Sequence, residues 1–289
     1  MLEFYQIIQG WHNPFWDGFF ILLSFVGSVP VYIFLFAILF WNIDKRFGFR
    51  LGVLLLFSLT VNSWLKDTLH FARPIGQPGI RSLYISSATG YSFPSGHSQA
   101  AATFYPYILT RLKDFKWKFW SVLVILGIGF SRLYLGVHWP MDVLGGFALG
   151  IFLVLGFTQI DQRLFKIPFS LPLKLILSIA LPLLALSFYH TKEGLQLIGF
   201  LIGFTSGYFL EDQYLDYQER TPFKLSLFKT SLGMIGLAVW ILVFSPLTHR
   251  FLFLHLPVYC LTGLWVSLGI PYLYRKLGWE NKKSQANSN

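Results

Sequence analysis

Apolar stretches of about 20 residues recur along most of this 289-residue chain with only short polar breaks, the length a helix needs to cross a hydrocarbon core about 30 Å thick. Few folds tolerate that pattern. Charged residues make up 12% of the chain and hydrophobic ones 54%, whereas soluble domains carry charge at about a quarter of their positions. Strands crossing a membrane would alternate polar and apolar residues, and no such alternation is present. The expected class is an all-α, polytopic membrane protein, because a helix satisfies every backbone polar group within its own segment.

The stretches at 13–27 and 30–41 read as one crossing broken at Pro30. Further crossings are expected at 51–70, 97–110, 117–135, 140–160, 171–189, 195–210, 225–244 and 251–274, nine in all. The net charge of +10 would suggest a nucleic-acid partner in a soluble protein. Here the basic residues fall in short connections, where they orient a membrane protein, and no nucleic acid is expected. One set of alternate connections holds Lys45, Arg46, Arg50, then Arg111, Lys113, Lys116, Lys118, then Arg163, Lys166, then Arg220, Lys224, Lys229, then Arg275, Lys276, Lys282 and Lys283. The other holds only Arg73, Arg81, Lys192 and Arg250. The richer set is expected to be cytoplasmic, with the N-terminus outside, the C-terminus inside and the segment 71–96 outside. Trp11, Trp16, Trp41, Trp64, Trp117, Trp139 and Trp279 fall near span ends, as interfacial indoles do. The start of the chain lacks a cleavable-signal pattern, so the first helix is expected to direct insertion.

Every chemically suspicious residue precedes position 160. Residues 1–160 are therefore expected to form a catalytic helical core, 161–279 four further spans of unread role with little buried charge, and 280–289 a polar disordered tail. Glu211, Asp212, Asp216 and Glu219 read as a solvated acidic run, and Cys260, the one cysteine, as a small core residue.

Three segments place polar groups at span ends on the outer side: KDTLHFARP at 66–74, PSGH at 94–97 and SRLYLGVHWPMD at 131–142. Lys66 and Arg73 are seven apart and share a face if the helix persists. With Arg132 they make three cations in need of an anion, and forked guanidinium donors suit phosphate oxygens. Ser95 and Gly96 follow a proline at a helix start, where free N–H groups and the helix dipole favour an anion. Donors surrounding a phosphoryl group are what a charge-spread phosphoryl transition state requires. Asp142, four residues after His138, can reach one ring nitrogen and leave the other as nucleophile. His97, beside the 95–96 cradle, is placed to protonate a leaving oxygen and then activate water. His70 belongs to no such role, and the scatter of His12, His190, His249 and His255 fits no metal-ligand spacing.

These segments resemble the signature of the type-2 phosphatidic acid phosphatase superfamily. Its first motif is a lysine, six residues and Arg-Pro, here Lys66, Arg73 and Pro74; its second is Pro94-Ser95-Gly96-His97; its third is Ser131-Arg132, five residues, His138, three residues and Asp142. The resemblance covers roughly 13–160 and implies metal-independent, cofactor-free chemistry, with His138 attacking phosphorus, His97 as acid and base, and Lys66, Arg73, Ser95, Gly96 and Arg132 binding phosphate. The nine-span count looks like the glucose-6-phosphatase and sphingosine-phosphate phosphatase branches. The reading is an integral membrane phosphatase acting on a lipid phosphate or diphosphate, with the bilayer and that lipid as partners, in a bacterial cytoplasmic membrane with the site facing outward. Alternatives are a sugar-phosphate phosphatase, a lipid phosphotransferase and a non-catalytic transporter of a phosphorylated ligand. Oligomeric state is not readable.

Overall fold

The computed structural model describes residues 2–112, 114–164, 167–189 and 191–280, without the side chains of Leu164 and His249. Lys113, Lys166, His190, Lys282, Lys283 and the tail beyond Glu280 lie outside the described residues, as does the His249 side chain. The described residues are helical, with no strand among them. In order they form α1 (Leu2–Gln9), α2 (Pro14–Val26), α3 (Val29–Ile38, running on as a π-helical turn to Ile43), α4 (Lys45–Leu69), α5 (Gly96–Leu109), α6 (Phe115–Tyr134) and α7 (Pro140–Leu164). Then come α8 (Leu171–Leu186), α9 (Lys192–Leu210), α10 (Phe223–Arg250), α11 (His255–Leu264) and α12 (Ile270–Lys276), the last two joined by a π-helical turn, Trp265–Gly269.

Local chemistry sets the helix starts. Asn13 caps α2, its side chain accepting from the Trp16 N–H at 3.0 Å with Pro14 in the first turn. Thr191 caps α9 in the same way through the Gly194 N–H. α2 and α3 meet at an angle of 50°, beside Gly27 and Pro30, where the sequence calls for a break.

Among the described residues, four helices are long and apolar enough to cross a membrane, Lys45–Leu69, Pro140–Arg163, Phe223–Thr248 and Leu252–Lys276, and the bent pair Pro14–Val26 with Val29–Ile43 makes up to five. α8 is apolar but shorter. α5, with 14 residues, spans about 21 Å, short of the hydrocarbon thickness. α1 is an addition to the expected elements, an eight-residue helix that buries Tyr5, Ile8 and Gln9 on one face.

The chain divides into two compact units. The first comprises Met1–Ile33 and Phe57–Arg163. Its α5 and α7 approach closely because glycines face the partner backbone: a Cβ on Gly146 would come within 2.7 Å of the Ser95 carbonyl, and one on Gly150 within 2.7 Å of that of Gln99. Small residues four apart are how membrane helices bring backbones together. The second unit comprises Phe34–Leu56 and Leu164–Asn289. Gly199, Gly203 and Gly207 of α9 lie against the backbone of α11 and the following π turn by the same device. An aromatic core of Phe40, Trp41, Phe49, Phe204, Tyr208, Tyr217 and Tyr274 fills this unit.

Two expectations are corrected in the second unit. Trp41 is no lipid-facing indole: it is 1% exposed and donates from Nε1 to the Val266 carbonyl at 3.0 Å. The acidic run is not a solvated surface throughout, since Glu211 is 1% exposed and holds the buried Lys45 ammonium at 3.1 Å. Burying either charge without the other would be costly, and each therefore takes its partner inward. Lys229 is also buried, donating to the Glu219 carbonyl at 3.0 Å over the faces of Tyr217 and Tyr274. These later helices thus hold more buried charge than their apolar composition suggests.

Candidate active site

Lys66 occupies the last turn of α4. The helix stops at Leu69 and His70 turns into the left-handed region, φ 55°, so Lys66 and Arg73 do not share a face of one helix. Pro74 disfavours helical backbone at the residue before it, and the helix ends ahead of it. Arg73 lies instead in the connection to α5 and spends its guanidinium on carbonyls: Nε on Gly90 at 2.9 Å, Nη2 on Thr89 at 2.7 Å and Tyr91 at 3.0 Å, and Nη1 on Val137 at 2.9 Å. Its Nη1 also faces His138 Nε2 at 2.9 Å.

The same Arg73 nitrogen lies 3.5 Å from His138 Nδ1, so it is the Asp142 carboxylate, an acceptor only, that assigns the ring proton to Nδ1 and leaves the lone pair on Nε2. Nδ1 faces Asp142 Oδ2 at 3.3 Å, across the helical turn that the spacing of four predicts. Asp142 Oδ2 accepts further bonds from the Trp139 N–H at 2.7 Å and from the Ser92 hydroxyl. Both side chains are nearly sealed from solvent, His138 at 1% and Asp142 at 3% exposure. Burial, then the nearby Arg73, Arg132 and Lys66 cations, holds the His138 imidazole well below its ordinary value. Burial brings Arg73 down to about 10, against the pull of Asp142, so it remains a cation at neutral pH.

Ser95 caps α5, and its own N–H bonds the Asp142 carbonyl at 2.9 Å, tying the second motif to the third. Gly96 follows at the helix start. A Cβ there would meet Asn62 Oδ1 at 3.3 Å and Lys66 Nζ at 3.9 Å, which brings the lysine and the helix N-terminus together. His97 Nε2 is buried with no hydrogen-bond partner. Arg132 is fully buried. Its Nη1 donates to the Ser87 hydroxyl at 2.9 Å and to the Ser24 hydroxyl, while its Nε has no partner. His97, Arg132, Lys66 and Arg73 all lie close enough to His138 to influence its charge. All eight residues singled out in the sequence therefore fall around the junction of α4, α5, α6 and α7.

Sequence reasoning missed the residues that hold this set in place. Ser92 anchors Asp142 from a loop position with no periodic signal. Asn62 and Gln99 bond each other at 2.7 Å, Asn62 reaches the Pro94 carbonyl at 3.2 Å, and Gln99 reaches the Ser58 carbonyl at 2.7 Å. Asn62 lies one turn before Lys66 and Gln99 two residues after His97, so polar residues in an apolar span next to a motif were the available signal.

The sequence pattern of the PAP2 superfamily matches residues 47–166, and that of the PAP2 superfamily phosphatase transmembrane extension matches 195–283. Phosphatidylglycerophosphatase B of Bacillus subtilis (strain 168) is 32% identical over 170 residues, which cover 54% of this chain and 80% of that protein. The chain belongs to the PAP2 superfamily. Another PAP2-type relative, the undecaprenyl-diphosphatase of Sulfolobus acidocaldarius, is 26% identical over 162 residues, 56% of this chain and 78% of that one. The crystal structure of Aquifex aeolicus LpxE superposes with a TM-score of 0.49 at 27% identity, covering 55% of this chain and 94% of LpxE. This PAP2 protein is thus an integral membrane phosphatase, a phosphoric ester hydrolase. Its three motif segments all lie inside the match at 47–166.

Proposed function

We propose that this phosphatase hydrolyses a lipid phosphate or lipid diphosphate through a phosphohistidine on His138, within a catalytic core formed by residues 1–160. Lys66, Arg73, Arg132 and the Ser95–Gly96 helix start hold the phosphoryl oxygens. The His138 Nε2 lone pair forms the N–P bond as the P–O bond to the leaving group breaks, an ester bond in a monophosphate and an anhydride bond in a diphosphate, and the proton on His97 goes to the departing oxygen. His97 then takes a proton from water, whose oxygen attacks phosphorus, and the P–N bond breaks to release phosphate. Asp142 keeps the ring oriented and offsets the positive charge that develops on it. Arg73 has to let go of Nε2 and turn to a phosphoryl oxygen as substrate arrives.

The observation that carries this reading is the ring of His138, its Nδ1 held by the Asp142 carboxylate and its Nε2 left among the Arg73, Arg132 and Lys66 cations. That arrangement leaves a lone pair beside cations and little else. Relatives named for phosphatidylglycerophosphate and undecaprenyl diphosphate support a substrate of that kind. Their headgroups differ, but each carries a phosphoryl group on an apolar anchor, which reaches a site among apolar helices from within the bilayer.

The topology proposed is nine crossings with the N-terminus outside, the C-terminus inside and the site on the outer face of a bacterial cytoplasmic membrane, the four spans of 161–279 forming a unit apart from the chemistry. The alternation of Lys and Arg supports it. Labelling of single cysteines at Gly90 and Lys224 in intact cells tests the orientation, and equal accessibility at the two sites would sink it.

Activity is tested by phosphate release from phosphatidate, phosphatidylglycerophosphate, undecaprenyl diphosphate, sphingosine 1-phosphate and glucose 6-phosphate, with chelator present. Chelator-resistant release from one lipid class, absent in His138→Ala, is expected. Turnover of glucose 6-phosphate alone would overturn the lipid assignment, and an active His138→Ala would overturn the nucleophile.

A further inference from the structure

The five carbonyls from Tyr134 to His138 each accept a hydrogen bond from outside that stretch. The Tyr134 carbonyl takes Gln9 Nε2 at 2.8 Å, Leu135 the Leu83 N–H at 2.9 Å, Gly136 the Ser82 hydroxyl at 3.0 Å, Val137 Arg73 Nη1 at 2.9 Å, and His138 the Tyr5 hydroxyl at 2.6 Å. The stretch begins at the last residue of α6 and runs on past it, where no following helical turn supplies N–H groups, so buried carbonyls must find donors elsewhere. The two outermost donors both come from α1, a helix that precedes the PAP2 match.

Gln9 is committed at every polar atom facing this region. Its Nε2 also donates to the Arg81 carbonyl at 2.8 Å, and its Oε1 accepts from the Arg81 N–H at 3.0 Å. Gly136, in the left-handed region at φ 62°, lies so near that a Cβ would come within 3.1 Å of Gln9 Nε2. Tyr5 has no exposed surface and packs edge-on against Trp139, 5.8 Å between ring centres. Burial, then the Asp142 charge, raises the Tyr5 phenol well above its ordinary value, so it stays a donor. An eight-residue helix has little stability of its own. Its buried face is instead built to donate into one loop.

We propose that α1 is a positioning element for the phosphatase reaction, with Tyr5 and Gln9 pinning the 134–138 loop at both ends and so setting the pitch of the His138 ring between Asp142 and the phosphorus. The inference rests on reading His138 as the nucleophile. A nucleophile displaced by a fraction of an ångström loses much of the advantage of prior alignment.

The test uses the full chain in detergent and the lipid that the panel identifies as substrate. Tyr5→Phe keeps the ring and its packing while removing one donor, and is expected to lower kcat about tenfold with KM changed less than about twofold. Gln9→Leu is expected to do the same. The decisive readout is the double variant: in an Asp142→Asn background, where the ring is already unanchored, Tyr5→Phe should cost less than about twofold. A Tyr5→Phe enzyme with the wild-type kcat overturns the proposal. So does an equal fold loss in both backgrounds, or a loss that only follows the folded fraction in thermal melts, which is what a purely structural helix gives. If His138→Ala also remains active, it is the nucleophile assignment that has failed; if that variant is dead and Tyr5→Phe is normal, only the positioning role has.

Discussion

Both units of this protein bury charge, but they balance it differently. In the second unit Lys45 meets Glu211 at 3.1 Å and Asp216 at 3.2 Å, and Glu211 also takes the Tyr217 N–H at 2.7 Å. Lys45 and Glu211 close on each other there, while Lys229 rests on a carbonyl and two aromatic faces. In the first unit Lys66, Arg73 and Arg132 lie near His138, whose carboxylate partner Asp142 already accepts at Oδ2 from His138, Trp139 and Ser92. Arg73 and Arg132 spend their donors on carbonyls and hydroxyls, and His97 Nε2 and Arg132 Nε are buried without partners. Charge buried within apolar helices is costly, so a balanced cluster reads as a fastening and an unbalanced one as a place for an anion.

The comparison breaks first at His138. His138→Ala is expected to reduce phosphate release per folded molecule by at least about 10³-fold, because it removes the proposed nucleophile. Glu211→Ala should do the reverse: leaving the buried Lys45 ammonium with only the exposed Asp216 carboxylate costs up to about 3 kcal/mol of stability, read as a lowered melting temperature, while the folded fraction keeps its turnover number. Replacing both partners, as Lys45→Met with Glu211→Leu, should recover most of that loss.

The pH dependence sharpens the contrast further. In the proposed mechanism His138 attacks only when neutral, and its folded value lies well below the ordinary one, so its protonation removes activity only as the pH falls well under about 6.5. On the alkaline side the rate is expected to fall first as His97 loses the proton it donates, and KM for the anionic substrate to climb as Arg73 loses its charge near about 10. A kcat/KM profile with its acid limb at the ordinary histidine value would contradict the burial of the ring. The smallest effect is expected at Asp216, whose side chain is 66% exposed: Asp216→Asn should change stability by less than about 1 kcal/mol, since exposed pairs are screened by water.

How legible these features were follows from how local they are. Asp142 is one helical turn from His138, and the 3.3 Å contact is the one the spacing implies. Ser95 is a helix cap by its neighbours alone. Lys66 and Arg73 were less readable, because whether α4 runs on to residue 73 depends on Pro74 and on carbonyls from 89–91 and 137 that only folding supplies. The burial of Glu211 was not readable, since nothing near it in sequence announces Lys45.

The sequence by itself therefore determined the membrane class, most of the helices and which residue types meet at the candidate site, since apolar length, helical period and side-chain chemistry are properties of short segments. Tertiary structure alone decided what those groups face: that Arg73 meets His138 Nε2 and not a neighbour on its own helix, that Ser92 anchors Asp142, and that α1 donates to the carbonyls of a loop more than a hundred residues away. Burial makes such pairings obligatory, because a polar group without water must find a partner, but which partner it finds is set by how the helices pack.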